Sequence, residues 1–175
     1  VLTNLEEYLE EWGVVFDRTT DLAGDSYSYT IKDTTRSLTT DGYTIQADYA
    51  INGLGASITT DMRDVAYPPK VIFQNAMSIS YAQNYDSNYY QDEDDATKNY
   101  WYGTYYSNGV SRSIYDVFLT SASAEAYANG ELVESSSALD PFKLMTVTRE
   151  SRMVDNTNAD YSYVLACGST QFASQ

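Results

Sequence analysis

Cys167-Gly168-Ser169 directly follows the apolar run from Tyr163 to Ala166, the place where an α/β hydrolase or amidotransferase carries its nucleophile. The chemistry of such an elbow asks for more than the sequence offers. Ala166-Cys167-Gly168-Ser169-Thr170 lacks the glycines on both sides that the sharp turn needs. The chain also has no histidine, which removes the Ser-His and Cys-His nucleophile pairs, the usual zinc ligands and the commonest general base together. Cys167 therefore reads as a core thiol at a strand end. Asp92-Glu93-Asp94-Asp95 has the oxygens for Ca²⁺ but neither the alternating spacing nor the central glycine of a Ca²⁺ loop, and reads as a solvated acidic loop. Gly53-Leu54-Gly55 lacks the third glycine and the downstream acid of a nucleotide loop. With 25 Asp and Glu in the chain, chance pairs of carboxylates are nearly certain, so glycosidase chemistry gains no support from their number. No catalytic residue, metal site or cofactor is assigned, and the expectation is a protein that is not an enzyme.

What remains is aromatic. Tyr89 and Tyr90, then Tyr100, Trp101, Tyr102 and Tyr105, crowd a short stretch and are the candidate ligand- or partner-binding residues. They suit a platform for a glycan or peptide, because each ring offers an apolar face and a polar tip. They equally suit a β-hairpin whose cross-strand tyrosines pair with one another. Either way the stretch is a hairpin.

The elements that would position these residues are mostly strands. Asn4 to Trp12 places Leu5, Tyr8, Leu9 and Trp12 on one helical face, with acids in the first turn and Gly13 as the stop. Val14-Val15-Phe16 follows at once, as a helix hands over to a buried strand in an α/β unit. Residues 18–42 read as loop with an edge hairpin, Tyr43 to Tyr49 as a half-exposed strand, and Ile58 to Val65 as a two-turn helix ended by Pro68-Pro69. Lys70 to Ala76 and Ser78 to Tyr81 read as strands, the first the more buried. Residues 82–109 are rich in Asn, Asp, Tyr and Ser and read as a long solvated insertion or hairpin tip. Ser113 to Thr120, Phe142 to Arg149 and Tyr163 to Cys167 are strand candidates, and Ala122 to Ala128 is short and either helical or extended. Gly168 to Phe172 reads as a strand-to-helix turn.

The chain has 175 residues, 43% of them hydrophobic, enough for one domain with a real core. No run of about 18 apolar residues occurs, so direct membrane insertion is not expected. A net charge of −15 repels nucleic acid and anionic lipid alike. One cysteine excludes an internal disulfide. Eighteen tyrosines against five phenylalanines and two tryptophans, in an acidic, Lys-poor chain, point to an extracytoplasmic bacterial domain whose surface makes contacts.

Three stretches resemble the extracytoplasmic region of the auxiliary subunits of an ABC-type transport system, the group associated in some bacteria with gliding motility. Asn4 to Val14 resembles that family's "N-L, helix, Y/W-G-I/V" segment. Phe118 to Ala124 is similar to its "Leu-Thr-Ser, then Ser-Ala or Ser-Trp" segment. Tyr163 to Ser174 is similar to its closing "valine-rich strand, G-D-S-x-F" segment, with Ser169 and Thr170 in place of Asp and Ser. The resemblance implies a flavodoxin-like or class I glutamine amidotransferase-like α/β domain, layered on a mixed sheet, spanning 1–175 with 82–109 as an insertion. It implies a fragment whose first strands lie upstream, tethered to the bacterial membrane by segments outside it, with the membrane components of the transporter as partners. On this reading the chain is a non-catalytic binding domain for a partner subunit or an envelope glycan or peptide. The alternatives are a cell-envelope hydrolase using paired Asp or Glu, which needs two acids converging in a pocket, and a surface adhesion or carbohydrate-binding module, which needs an exposed aromatic patch.

Overall fold

The structure, a computed structural model, describes residues 3–154 and 158–168. In chain order its elements are α1 (Thr3–Glu11), β1 (Val14–Phe16), β2 (Arg18–Thr20), β3 (Ser26–Ser28), β4 (Thr30–Lys32), β5 (Thr44–Gln46), β6 (Asp48–Tyr49), α2 (Gly53–Ile58), α3 (Thr60–Arg63), β7 (Ile72–Gln74) and β8 (Ile79–Tyr81). There follow β9 (Asp86–Tyr90), a 3₁₀ turn (Ala96–Lys98), β10 (Tyr100–Ser107), β11 (Val110–Leu119), β12 (Glu125–Ala128), β13 (Glu131–Ser135), β14 (Lys143–Val154) and β15 (Asn158–Cys167).

This architecture overturns the expected α/β class. Strands make up 47% of the structure and helices 14%, and the main sheet is an antiparallel, curled half-barrel rather than a flavodoxin-like or amidotransferase-like layered sheet. The step that misleads is the first one. Gly13, at φ +90°, does end α1 and deliver Val14 into the core, but β1 then pairs antiparallel with β8, Val14 opposite Tyr81. A helix–glycine–strand order is therefore compatible with an antiparallel edge as well as with a βαβ unit.

Two long strands form the spine. β11 pairs β14 from Val110–Arg152 through Asp116–Thr146, with bulges before Leu119 reaches Lys143. Each then carries two shorter partners end to end on its outer edge: β14 carries β15 and β8, and β11 carries β10 and β6. Residues 82–109 contain a hairpin, β9 paired with β10, which joins the main sheet because β10 pairs β11. Asn108 and Gly109, both at positive φ, close the β10–β11 hairpin with the backbone twist a two-residue turn requires. Asn129-Gly130 does the same between β12 and β13. The predicted helix over Ile58 to Val65 is split and displaced into α2 and α3, and the strand within Lys70 to Ala76 buries only Phe73, its neighbours Ile72 and Gln74 being exposed.

Alternation along β11 feeds two apolar clusters. Ile114 packs with Val14, Ile79, Ala82, Tyr85 and Ala166 on one face. On the other, Tyr115 and Val117 pack with Ile45, Phe73, Phe142 and Val147. α1 contributes less than its spacing suggests: Trp12, just past its end, is buried, whereas Leu5 and Tyr8 remain exposed. Among the described residues no helix is long and apolar enough to cross a membrane.

Candidate functional site

The aromatic stretch is held by strand pairing, and the pleat divides it. Tyr90 stacks on Tyr100 across the β9–β10 pair with ring centroids 5.1 Å apart, and Tyr102 stacks on Tyr115 at 5.7 Å, nearly parallel. Tyr89 and Trp101, one residue out of phase, meet at 4.8 Å on the opposite face. Tyr105 shares that second face and stacks on Tyr85 at 5.4 Å, where the Arg112 guanidinium also approaches its ring. The six candidates thus form no single platform. Tyr89, Tyr90 and Trp101 are each 43–44% exposed, while Tyr100, Tyr102 and Tyr105 are half-buried.

The two faces converge at the strand end. β10 accompanies β11 only as far as Tyr102 opposite Tyr115, and β6 takes over at Tyr49 opposite Phe118, with the Ala50 N–H donating to the Val117 carbonyl at 2.9 Å. Tyr100 and Trp101 overhang this junction, and beneath them lies a cavity of about 340 Å³. Tyr89, Tyr100, Trp101 and Tyr115 line it, together with Asn52, Asp116, Asp140 and Lys143. Its rim is fastened by Asn52, whose Nδ2 donates to the Thr97 carbonyl at 2.7 Å and so ties the start of α2 to the β9–β10 loop.

Asp116 is the chemical centre of this cavity, and it was not among the residues the sequence singled out. It follows Ile114 by two positions on β11, so the pleat turns it toward the same face as a core residue. The Tyr81 hydroxyl donates to its Oδ1 at 2.8 Å. Confinement by protein pushes the Asp116 carboxyl above its ordinary range, although the charge of Lys143 and the Tyr81 hydrogen bond pull the other way. Burial, then the neighbouring Asp116 charge, pushes the Tyr81 hydroxyl well above its own. Lys143 lies over the Tyr81 ring, 5.0 Å from the centroid, and reaches Asp140 at 3.6 Å. Thr146, opposite Asp116 in the β11–β14 ladder, buries a hydroxyl that finds no hydrogen-bond partner among the described residues. The arrangement offers one fixed acceptor, one fixed donor and aromatic walls.

The other candidates have structural duties. Asp92 Oδ1 accepts from the N–H groups of Asp94 and Asp95, and Asp95 caps the 3₁₀ turn through Thr97; Lys98 lies 3.8 Å from Asp95. These acids shape the β9–β10 loop, and among the described residues no group of three His, Cys, Asp or Glu could hold a metal ion. Gly53-Leu54-Gly55 opens α2 against β11. Cys167 ends β15 half-buried beside the larger cluster, and Ser169 to Phe172 lie outside the described residues. A second, broader hollow of about 580 Å³ is bordered by Tyr27, Lys32, Tyr43 and Tyr127.

Compared with known protein families, curated proteins and solved structures, the chain matches none.

Proposed function

We propose that the chain is a non-catalytic binding domain whose ligand seats in the cavity under Trp101. The observation that carries this reading is the pairing, in one recess, of an exposed aromatic couple, Tyr89 and Trp101, with a carboxylate fixed by Tyr81. Pockets that bind small molecules are of this kind: apolar and aromatic walls, with a few convergent polar groups that set orientation. The hydrolase alternative asks for two confined acids, and here the second acid, Asp140, has its side chain 78% exposed and is bridged to Lys143. The adhesion alternative is served by the same aromatic residues, and differs from our reading only in what presents the ligand.

The setting we propose is extracytoplasmic, with the chain acting as part of an auxiliary subunit of an ABC-type transporter in the bacterial envelope. The transporter part rests on the three sequence stretches alone, since the fold they imply is not the one found, and the extracytoplasmic part rests also on the tyrosine-rich, acidic composition. Two experiments address the two parts separately. Immobilised chain is incubated with soluble envelope fragments released by digestion, beside a Trp101→Ala variant. Material retained by the wild type and lost from the variant supports the binding site; equal retention, or none, contradicts it. The membrane setting is checked by purifying the protein from gently solubilised membranes: co-purification of an ABC ATPase and its membrane partner supports it, and their absence counts against it.

A further inference from the structure

We infer that the ligand of the Trp101 cavity is a saccharide, stacked on Tyr89 and Trp101 with a hydroxyl donated to Asp116. The inference rests on the reading of that cavity as a binding site and names what it binds. A pyranose has apolar C–H faces and a rim of hydroxyls, so it needs aromatic surface and fixed polar groups side by side. Tyr89 and Trp101, 4.8 Å apart and inclined by 40°, supply aromatic surface that stays partly exposed. Asp116 uses Oδ1 for Tyr81, and among the described residues no other donor reaches the carboxylate, so Oδ2 is available to a hydroxyl. The ring of Tyr81 is held in turn beneath the ammonium of Lys143.

Charge narrows the ligand further. Among the described residues the one cation of the cavity wall is Lys143, and it is bridged by Asp140, so the described wall offers no unpaired positive group to a phosphate or carboxylate. A wholly apolar ligand would strip water from Asp116 and Lys143 without replacing its hydrogen bonds. An extended peptide binds best by adding a strand to a free edge, and here the edge of β11 is already occupied: Tyr115 by Tyr102, the Val117 carbonyl by Ala50, and Phe118 by Tyr49. An uncharged polyhydroxylated ring satisfies each condition. At about 340 Å³ the cavity lies near the small end of ligand pockets, suited to roughly one or two sugar rings.

The test is a titration of the ¹⁵N-labelled 175-residue chain with cellotetraose, chitotetraose and mannotetraose, and separately with a tetra-alanine peptide, followed by NMR. The expected result is that at least one saccharide shifts the Trp101 indole and the Asn52 side-chain amide while leaving the Trp12 indole in place. Tyr89→Ala then weakens its binding up to about tenfold, and Asp116→Ala weakens it as well, with the spectrum otherwise retained. Shifts at Trp101 and Asn52 by the peptide and by no saccharide would overturn the ligand class and leave the binding site standing. Saccharide shifts confined to the Tyr27–Tyr127 hollow and indifferent to Tyr89→Ala would overturn both. If no probe shifts any resonance, the saccharide assignment falls, and the Trp101→Ala retention experiment decides the wider reading.

Discussion

Replacing Gly55 with alanine sets two physical effects against each other at the point where α2 crosses β11. Helix propensity alone favours the change by about 1 kcal/mol, because alanine loses less backbone freedom than glycine in a helix interior. Geometry opposes it. A Cβ on Gly55 would stand 1.8 Å from the Asp116 carbonyl oxygen, 2.7 Å from its carbonyl carbon and 3.1 Å from Val117 Cα. All three obstacles are backbone of the central strand, so no side chain can turn aside and α2 has to withdraw by more than an ångström. Overpacking of this kind costs about 1–3 kcal/mol, and a rigid obstacle places it at the top of that range. Geometry wins, and a net loss of about 2 kcal/mol lowers the unfolding midpoint of a chain this size by about 4–8 °C. Thermal unfolding followed by circular dichroism reads the shift directly. Gly103→Ala is the comparison: its Cβ would meet Ile114 Cγ2 at 2.7 Å and Tyr81 Cδ2 at 3.2 Å, side chains held by burial and by the Tyr81–Asp116 hydrogen bond, so it should lose stability as well. A Gly55→Ala protein with an unchanged or raised midpoint would refute the packing of α2 on β11, and with it the backbone position of Asp116.

Asp33→Ala should cost about 3–5 kcal/mol in urea unfolding, because Asp33 is fully buried and accepts from the N–H groups of Thr35, Arg36 and Ser121 and from the Ser121 hydroxyl; a loss under about 1 kcal/mol would contradict that network. The two acids of β11 and β14 should give opposite pH signatures. Burial raises the pKa of Glu150, but hydrogen bonds from Arg112 and Arg152 outweigh it and hold the carboxyl below its ordinary 4.5. Its contribution is therefore complete above about pH 4.5 and lost as pH falls through the folded value, and Glu150→Gln should flatten that acid limb. Asp116, with its folded pKa above the ordinary 3.8, holds its proton more tightly folded than unfolded, so it penalises stability progressively as pH rises through that window. Asp116→Asn should thus gain on the wild type as pH rises above the ordinary 3.8, and a difference that stays constant with pH would contradict the confinement of the carboxyl.

Some local signals in the sequence are sound, whereas their assembly is not. Gly13 marks the end of α1, and the strand-like composition of Ser113 to Thr120 and the alternation in Phe142 to Arg149 mark parts of β11 and β14. The α/β expectation fails because helix, glycine and strand follow one another in the same way at an antiparallel edge. Counter-signals were present in Asn108-Gly109 and Asn129-Gly130, the dipeptides that suit two-residue hairpins. Residues 82–109 look like solvated loop because β9 and β10 build their faces from Tyr90, Tyr100 and Tyr102, whose rings pack while their hydroxyls register as polar. The aromatic half of the site was visible in its composition, though not its division between two faces. Asp116 was hidden: its setting depends on Tyr81, 35 residues away on another strand, and only its place two residues after Ile114 hints at it.

The account stands or falls on where the ligand sits. A crystal structure of the chain with the fragment that Trp101 retains should show it against Tyr89 and Trp101, within hydrogen-bond distance of Asp116. A fragment bound on α2 and α3 or in the Tyr27–Tyr127 hollow, with the Trp101 cavity holding only water, would contradict it.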